Sequence, residues 1–162
     1  MDINSFIELV SRYKIFEDLT TQEMSTILSC AEELFFPKDA PIFHESNLSL
    51  DLYIILLGEV VIKIEPRHYN ELLGDKQILA VLSKGDIFGE MAFLRGQKRS
   101  AHVKTTEKSH ILKIDGLQLY DIFEKNLRIA YIVIRNIAMI LAERLENINL
   151  RWQSENESIS VS

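Results

Sequence analysis

Cysteine is almost absent from this sequence: Cys30 stands alone, so no internal disulfide can form. It sits in an amphipathic helical pattern with no catalytic motif around it, a setting for a packed thiol rather than a nucleophile. Basic charge is also short. A formal net charge of −6 and a pI near 5.3 exclude a free-standing nucleic-acid binder, which needs a basic face to displace counterions from phosphates. No uncharged apolar run approaches the ~20 residues of a membrane span. The first ten residues hold Asp2 and Glu8 and no basic residue, unlike a secretory signal, so a cytoplasmic protein is expected. His44, His68, His102 and His110 lack the close spacing of metal ligands, and no Gly-x-Ser-x-Gly occurs. Neither a metal, nor a cofactor, nor a catalytic residue is therefore expected, and the chain reads as a non-enzyme.

What is present is core material. At 162 residues and 47% hydrophobic content, the chain suits one compact domain plus an appendage. Residues 1–33 read as a helical segment: Ile3, Phe6, Ile7 and Val10 recur at helical spacing, and a capping box at Thr20 and Glu23 opens a second helix over Met24, Ile27, Leu28 and Ala31. Over 34–114, seven short apolar or alternating runs separated by turns suggest a mainly β, jelly-roll-like β-roll. Within it Leu57-Gly58-Glu59 reads as a hairpin, and 65–77 as a polar loop. Residues 115–152 return to helix behind Asp115 as N-cap. There Leu127, Tyr131, Ile134, Ala138, Leu141, Leu145, Ile148 and Trp152 form a heptad seam, and Ala130, Val133, Ile137, Ile140 and Arg144 form a second line. Two stripes need two partners: either both pack on the sheet, or the second half of the seam, Leu141, Leu145, Ile148 and Trp152, makes a homodimer. Residues 153–162 read as a polar tail or linker.

The chemistry concentrates in residues 85–105. Gly89 can take a backbone conformation closed to other residues, so the N–H groups of Glu90, Met91 and Ala92 can open a helical turn toward an oxyanion. Arg99 can supply one full positive charge, enough for a singly charged phosphodiester. Glu90, acceptor-only when ionised, suits a sugar hydroxyl beside that phosphate. The competing reading is a surface ion pair beside a turn.

Phe88-Gly89-Glu90-Met91-Ala92 followed by Arg99-Ser100-Ala101 resembles the phosphate-binding cassette of the cyclic nucleotide-binding domain family, and the resemblance extends over roughly residues 14–150. It implies that Glu90 takes the ribose 2′-hydroxyl, that Arg99 takes the cyclic phosphate, and that Ser100 can contact the phosphate or a guanine amino group. In family terms the purine lies between the sheet and the C-terminal helix. Ile62, Ala80, Leu82 and Phe88 are then candidates for its floor, and Ile148, Asn149 and Trp152 for its cap, with Trp152 equally open to dimer packing. The ligand implied is cyclic AMP, with cyclic GMP open. The partner implied is an effector protein or a linked output domain, because about twenty residues beyond the fold cannot build one. The alternative is a nucleotide-free scaffold. Where the family places glycines, this chain has Asp39 and the stretch Ser46, Asn47, Ser49, Leu50, Asp51, of which Asn47 best tolerates left-handed geometry.

Overall fold

The computed structural model describes the backbone of residues 3–64 and 77–159, and side chains over 6–64 and 78–150. The chain opens with α1 (Ile3–Val10), a 3-10 turn (Lys14–Phe16) and α2 (Thr21–Leu28). α2 starts at Thr20, whose hydroxyl accepts from the Glu23 N–H while the Glu23 carboxylate accepts from the Thr20 N–H. The helix ends at Leu28, short of the expected Ala31. Cys30 lies in the turn that follows rather than in the helix; its thiol donates to the Ile27 carbonyl at 3.0 Å, and burial pushes its pKa up to about 11.

Among the described residues, eight strands follow in two antiparallel sheets. One is ordered β1 (Ala31–Phe36), β8 (Ser109–Ile114), β3 (Leu52–Leu57), β6 (Ile87–Phe88); the other is β2 (Pro41–Phe43), β7 (His102–Thr105), β4 (Glu59–Ile64), β5 (Gln77–Ser83). One strand starts earlier than the pattern reading expects, and one escapes it. β1 begins at Ala31, inside the segment expected to be helical, because Ala31 through Phe36 pair in unbroken register with Ile114 through Ser109. β6 is only two residues long and is defined by pairing with β3, which periodicity cannot detect.

The Leu57-Gly58-Glu59 turn is not a hairpin. β3 pairs with β6 and β8 while β4 pairs with β5 and β7, so the chain changes sheets there. Gly58 makes the corner at φ 92°, where an added Cβ would lie 2.4 Å from the Ser109 hydroxyl. Asp39 and Ser46 also take left-handed backbone positions, at φ 62° and 71°. Ser46 rather than Asn47 therefore replaces the expected glycine; Asn47 instead accepts the His44 N–H on its side chain.

β3 is buried on both faces. Leu52, Ile54 and Leu56 join Leu112 and Ile114 in a core against the helices, and Tyr53, Ile55 and Ile111 join Val60, Leu82, Phe88 and Val103 between the sheets. That explains why Leu52–Leu57 reads as a continuous apolar run.

Asp115 caps α4 (Gly116–Lys125) by accepting the Gln118 N–H, and α5 (Leu127–Ile159) runs on through the segment expected as a polar tail. Residues 153–159 contain no proline or glycine to stop it. Ile132, Val133, Ile137 and Ile140 bury the inner face of α5. Asn136 pins that face to the 3-10 turn by donating to the Ile15 and Glu17 carbonyls. Most of the heptad seam faces away from the domain, with Leu127 78%, Tyr131 66% and Leu145 59% exposed, while Leu141 packs against the core beneath the helices. The two stripes thus have different fates. No described helix is long and apolar enough to cross a membrane.

Candidate functional site

α3 (Glu90–Arg95) opens behind Gly89 at φ 83°. An added Cβ on Gly89 would lie 2.7 Å from Arg99 Nη1 and 2.8 Å from the Asp51 carbonyl, so glycine is required both by conformation and by contact. The close approach exists because Arg99 is folded beneath the helix, 2% exposed. Its Nη1 donates to the Gly89 carbonyl at 2.9 Å, and its Nη2 donates to the Ser49 hydroxyl at 2.9 Å and the Asp51 carbonyl at 2.8 Å. The guanidinium carbon lies 4.4 Å from the Phe43 ring centre and 5.4 Å from that of Tyr53. Three of its five N–H donors are thereby committed.

The Nε donor is buried and has no hydrogen-bond partner among the described residues. An unpaired donor on a buried guanidinium is costly unless something accepts from it, and it is the observation that fits an anion at this place. Burial pulls the Arg99 pKa down, opposed by Tyr53 and Asp51, and the group remains a cation.

Glu90 is 7% exposed, and burial pushes its carboxyl pKa above the ordinary range, opposed first by Arg144. Its ion-pair partner is Arg144 on α5, with Nη1 at 3.3 Å from Oε1, and not Arg99. The Arg144 Nη2 donates to the Ile87 carbonyl at 2.5 Å. One side chain from the long helix therefore holds both β6 and the start of α3.

Met91 is exposed, Ala92 and Ala101 are buried, and the exposed Ser100 hydroxyl lies 3.8 Å from the Met91 sulfur. The proposed floor residues converge: Leu82 and Phe88 belong to the inter-sheet cluster, with half-buried Ile62 and Ala80 packed on it and directly paired across β4 and β5. Phe88 stacks on Tyr53 with ring centres 4.9 Å apart. Ile148 and Asn149 are exposed, and the Trp152 side chain lies outside the described residues, as does His68.

Pattern reading missed Phe43, Tyr53, Ser49, Asp51 and Arg144 as members of this site. Arg144 had a signal: a lone charge at the end of the apolar line from Ala130 to Ile140 calls for a buried counter-charge. Ser49 and Asp51 had none, since Asp51 serves Arg99 through its backbone. Among the described residues no group of three His, Cys, Asp or Glu could hold a metal ion, although the fold brings His44 and His102 within 3.4 Å.

Among the described residues, two four-stranded sheets form a roll that carries a short helix behind a left-handed glycine, over a buried arginine. The chain belongs to the cyclic nucleotide-binding domain family, which it matches over residues 33–126. It is 30% identical over 139 residues to the cyclic AMP receptor protein of Thermus thermophilus, covering 84% of this chain and 59% of that one. The crystal structure of the Thermus thermophilus catabolite activator protein superposes with TM-score 0.69 at 26% identity, over 88% of this chain and 63% of that one. A cyclic nucleotide-binding domain from Methylobacillus flagellatus gives TM-score 0.78 at 24% identity, over 94% and 83%, a likeness of fold.

Proposed function

We propose that the protein is a sensor that binds a 3′,5′-cyclic purine nucleotide, cyclic AMP in preference to cyclic GMP, and passes occupancy on through α5. The observation that carries this reading is the buried Arg99 guanidinium with its unpaired Nε, placed under the Gly89 turn beside Glu90. In this reading Arg99 and the first N–H groups of α3 take the cyclic phosphate, and Glu90 accepts from the ribose 2′-hydroxyl. Ser100 and Ala101 flank the phosphate, and Ile62, Ala80, Leu82 and Phe88 floor the purine, with Ile148, Asn149 and Trp152 as the cap. The name of the Thermus relative supports adenine. A single hydrogen bond donated by the adenine amine to Asn149 gives a preference of about 2- to 13-fold. Output goes to an effector protein or a linked domain, and cytoplasmic localisation follows from the same reading.

Calorimetry with cyclic AMP and cyclic GMP, on wild type and Ser100→Ala, is the test. Metal-independent heat with tighter cyclic AMP is the expected result. Tighter cyclic GMP binding that collapses in Ser100→Ala would reverse the base assignment. No heat and no thermal shift at millimolar nucleotide would leave the fold as a scaffold for protein contacts, because a ligand that binds only the native state must stabilise it.

Glu90 gives the site a pH signature. Its folded pKa is raised, so its contribution to stability is full below the ordinary carboxyl value and is lost as pH rises through the folded value. Nucleotide needs the ionised form, so affinity is expected to fall as pH drops into that same window. Glu90→Gln flattens both profiles; a wild-type affinity that is level across the window would remove Glu90 as the hydroxyl acceptor.

The exposed seam of Leu127, Tyr131, Ile134, Leu145 and Ile148 supports a homodimer through α5. Light scattering is expected to find a dimer for wild type at tens of micromolar and a monomer for Leu145→Glu. A monomeric wild type would sink this part of the reading.

A further inference from the structure

Both hydrogen bonds from Arg99 Nη2 end on the segment that leads into β3, one on the Ser49 hydroxyl and one on the Asp51 carbonyl. The Ser49 hydroxyl in turn donates to Asp51 Oδ2 at 2.8 Å and accepts from the Asp51 N–H at 3.2 Å. With Arg99 and that N–H on its two lone pairs and its proton on the carboxylate, the hydroxyl is fully used and has one orientation.

The other carboxylate oxygen of Asp51 faces the helices: Oδ1 accepts from the N–H of Gly116, the first residue of α4, at 3.2 Å. That N–H has no acceptor within the helix, and a carboxylate beside it is favoured by the helix dipole. Asp115 caps the same helix on the Gln118 N–H, so the two aspartates serve different donors. The backbones meet here as well, since an added Cβ on Gly116 would lie 2.2 Å from the Leu50 carbonyl oxygen. Further along α4, Tyr120 stacks on Phe93 of α3 with ring centres 4.6 Å apart and donates to the Phe93 carbonyl. α4 is therefore held to both halves of the cassette, through Asp51 to Arg99 and through Tyr120 to α3.

We propose that Asp51 is a positioning residue for the anion site: through Ser49 it sets the orientation of Arg99, and through Gly116 it fastens that orientation to the start of α4. This rests on the reading of Arg99 as the phosphate ligand, and it gives occupancy a path out of the cassette that is separate from the Arg144 tie to α5. Position 51 needs a carboxylate. Two donors, the Ser49 O–H and the Gly116 N–H, meet its two oxygens, and an amide has one acceptor for the pair, so asparagine in either orientation leaves one donor without a partner. The coupling is reciprocal: what moves the start of α4 alters Arg99, and what engages Arg99 alters the start of α4.

The test follows the Gly116 amide of the whole chain by NMR, with calorimetry for cyclic AMP. In the ligand-free protein, Arg99→Lys is expected to shift that amide, and to leave it in place when Ser49→Ala has already cut the connection. Saturating cyclic AMP should shift it in wild type and in Ser49→Thr, which keeps the hydroxyl, and leave it in place in Ser49→Ala. Ser49→Ala and Asp51→Asn should each bind cyclic AMP about tenfold more weakly, and Ser49→Thr should recover affinity to within about twofold of wild type. An Arg99→Lys shift at Gly116 that persists undiminished in Ser49→Ala, or a Ser49→Ala affinity equal to that of wild type, would overturn the proposal. A wild-type protein whose Glu90, Met91 and Ala92 amides ignore cyclic AMP would instead remove the nucleotide reading, and the ligand-free comparison then decides the tie between Arg99 and α4 by itself.

Discussion

Arg99→Ala is expected to weaken nucleotide binding roughly 30-fold to several thousandfold, the ~2–5 kcal/mol cost of leaving a buried charge without its partner. The same substitution should lower the melting temperature of the free protein. Arg99 donates to the carbonyls of Gly89 and Asp51 and to the Ser49 hydroxyl, and its removal orphans these acceptors around a space lined by Phe43 and Tyr53. Each orphaned buried group costs about 1–3 kcal/mol, against a total domain stability of about 5–15 kcal/mol. Arg99→Lys separates the two effects. It keeps the charge and loses the fork, so calorimetry should find a folded protein with weakened affinity. A folded Arg99→Lys or Arg99→Ala variant that binds nucleotide as wild type does would show that the phosphate lies elsewhere.

The dual duty proposed for Arg99 was only half legible in the sequence. The order glycine, carboxylate, later arginine singled out Gly89, Glu90 and Arg99 as candidates, because those residue types at that spacing carry a chemical logic by themselves. What Arg99 leans on was not legible, since two of its three acceptors are backbone carbonyls, which any residue supplies. The β-roll as a class was visible in alternating runs. The sheet change at Gly58 was not, because a glycine between two apolar strands looks the same whether the strands pair with each other or with others. The ends of the helical segments shifted for a related reason: Ala31 fits a helical period, but its pairing with Ile114 on a distant strand decides its conformation. α5 shows the reverse case. Its two apolar stripes were legible, and the fold then separates them, burying the line from Val133 to Ile140 and exposing the line through Tyr131 and Leu145.

Arg144→Ala is expected to cost on the order of 3 kcal/mol, the effect of breaking a largely buried ion pair by removing one partner. Glu90 would keep its burial and lose its strongest opposing charge, so its carboxyl pKa should climb further above the ordinary range. The pH window over which stability falls with rising pH then widens upward. The variant also tests how α5 is held. Asn136 and the apolar line fix the first half of the helix to the domain, while Arg144 ties the following turns to β6 and α3. Hydrogen exchange should therefore quicken over residues 141–150 and remain slow over 129–140. Glu90→Gln should show little further loss when Arg144 is already alanine, because the pair has then been broken once; a double-mutant cycle should give a coupling of about 1–3 kcal/mol. If nucleotide and Arg144 compete for the Glu90 carboxylate, Arg144→Ala should bind ligand no more weakly than wild type while α5 exchanges freely in both states. If Arg144 instead orients the carboxylate for the ribose hydroxyl, affinity falls along with the tie to α5. Measuring affinity and exchange on the one variant separates a latch from a positioning residue, and additive stabilities in the cycle would dismiss both.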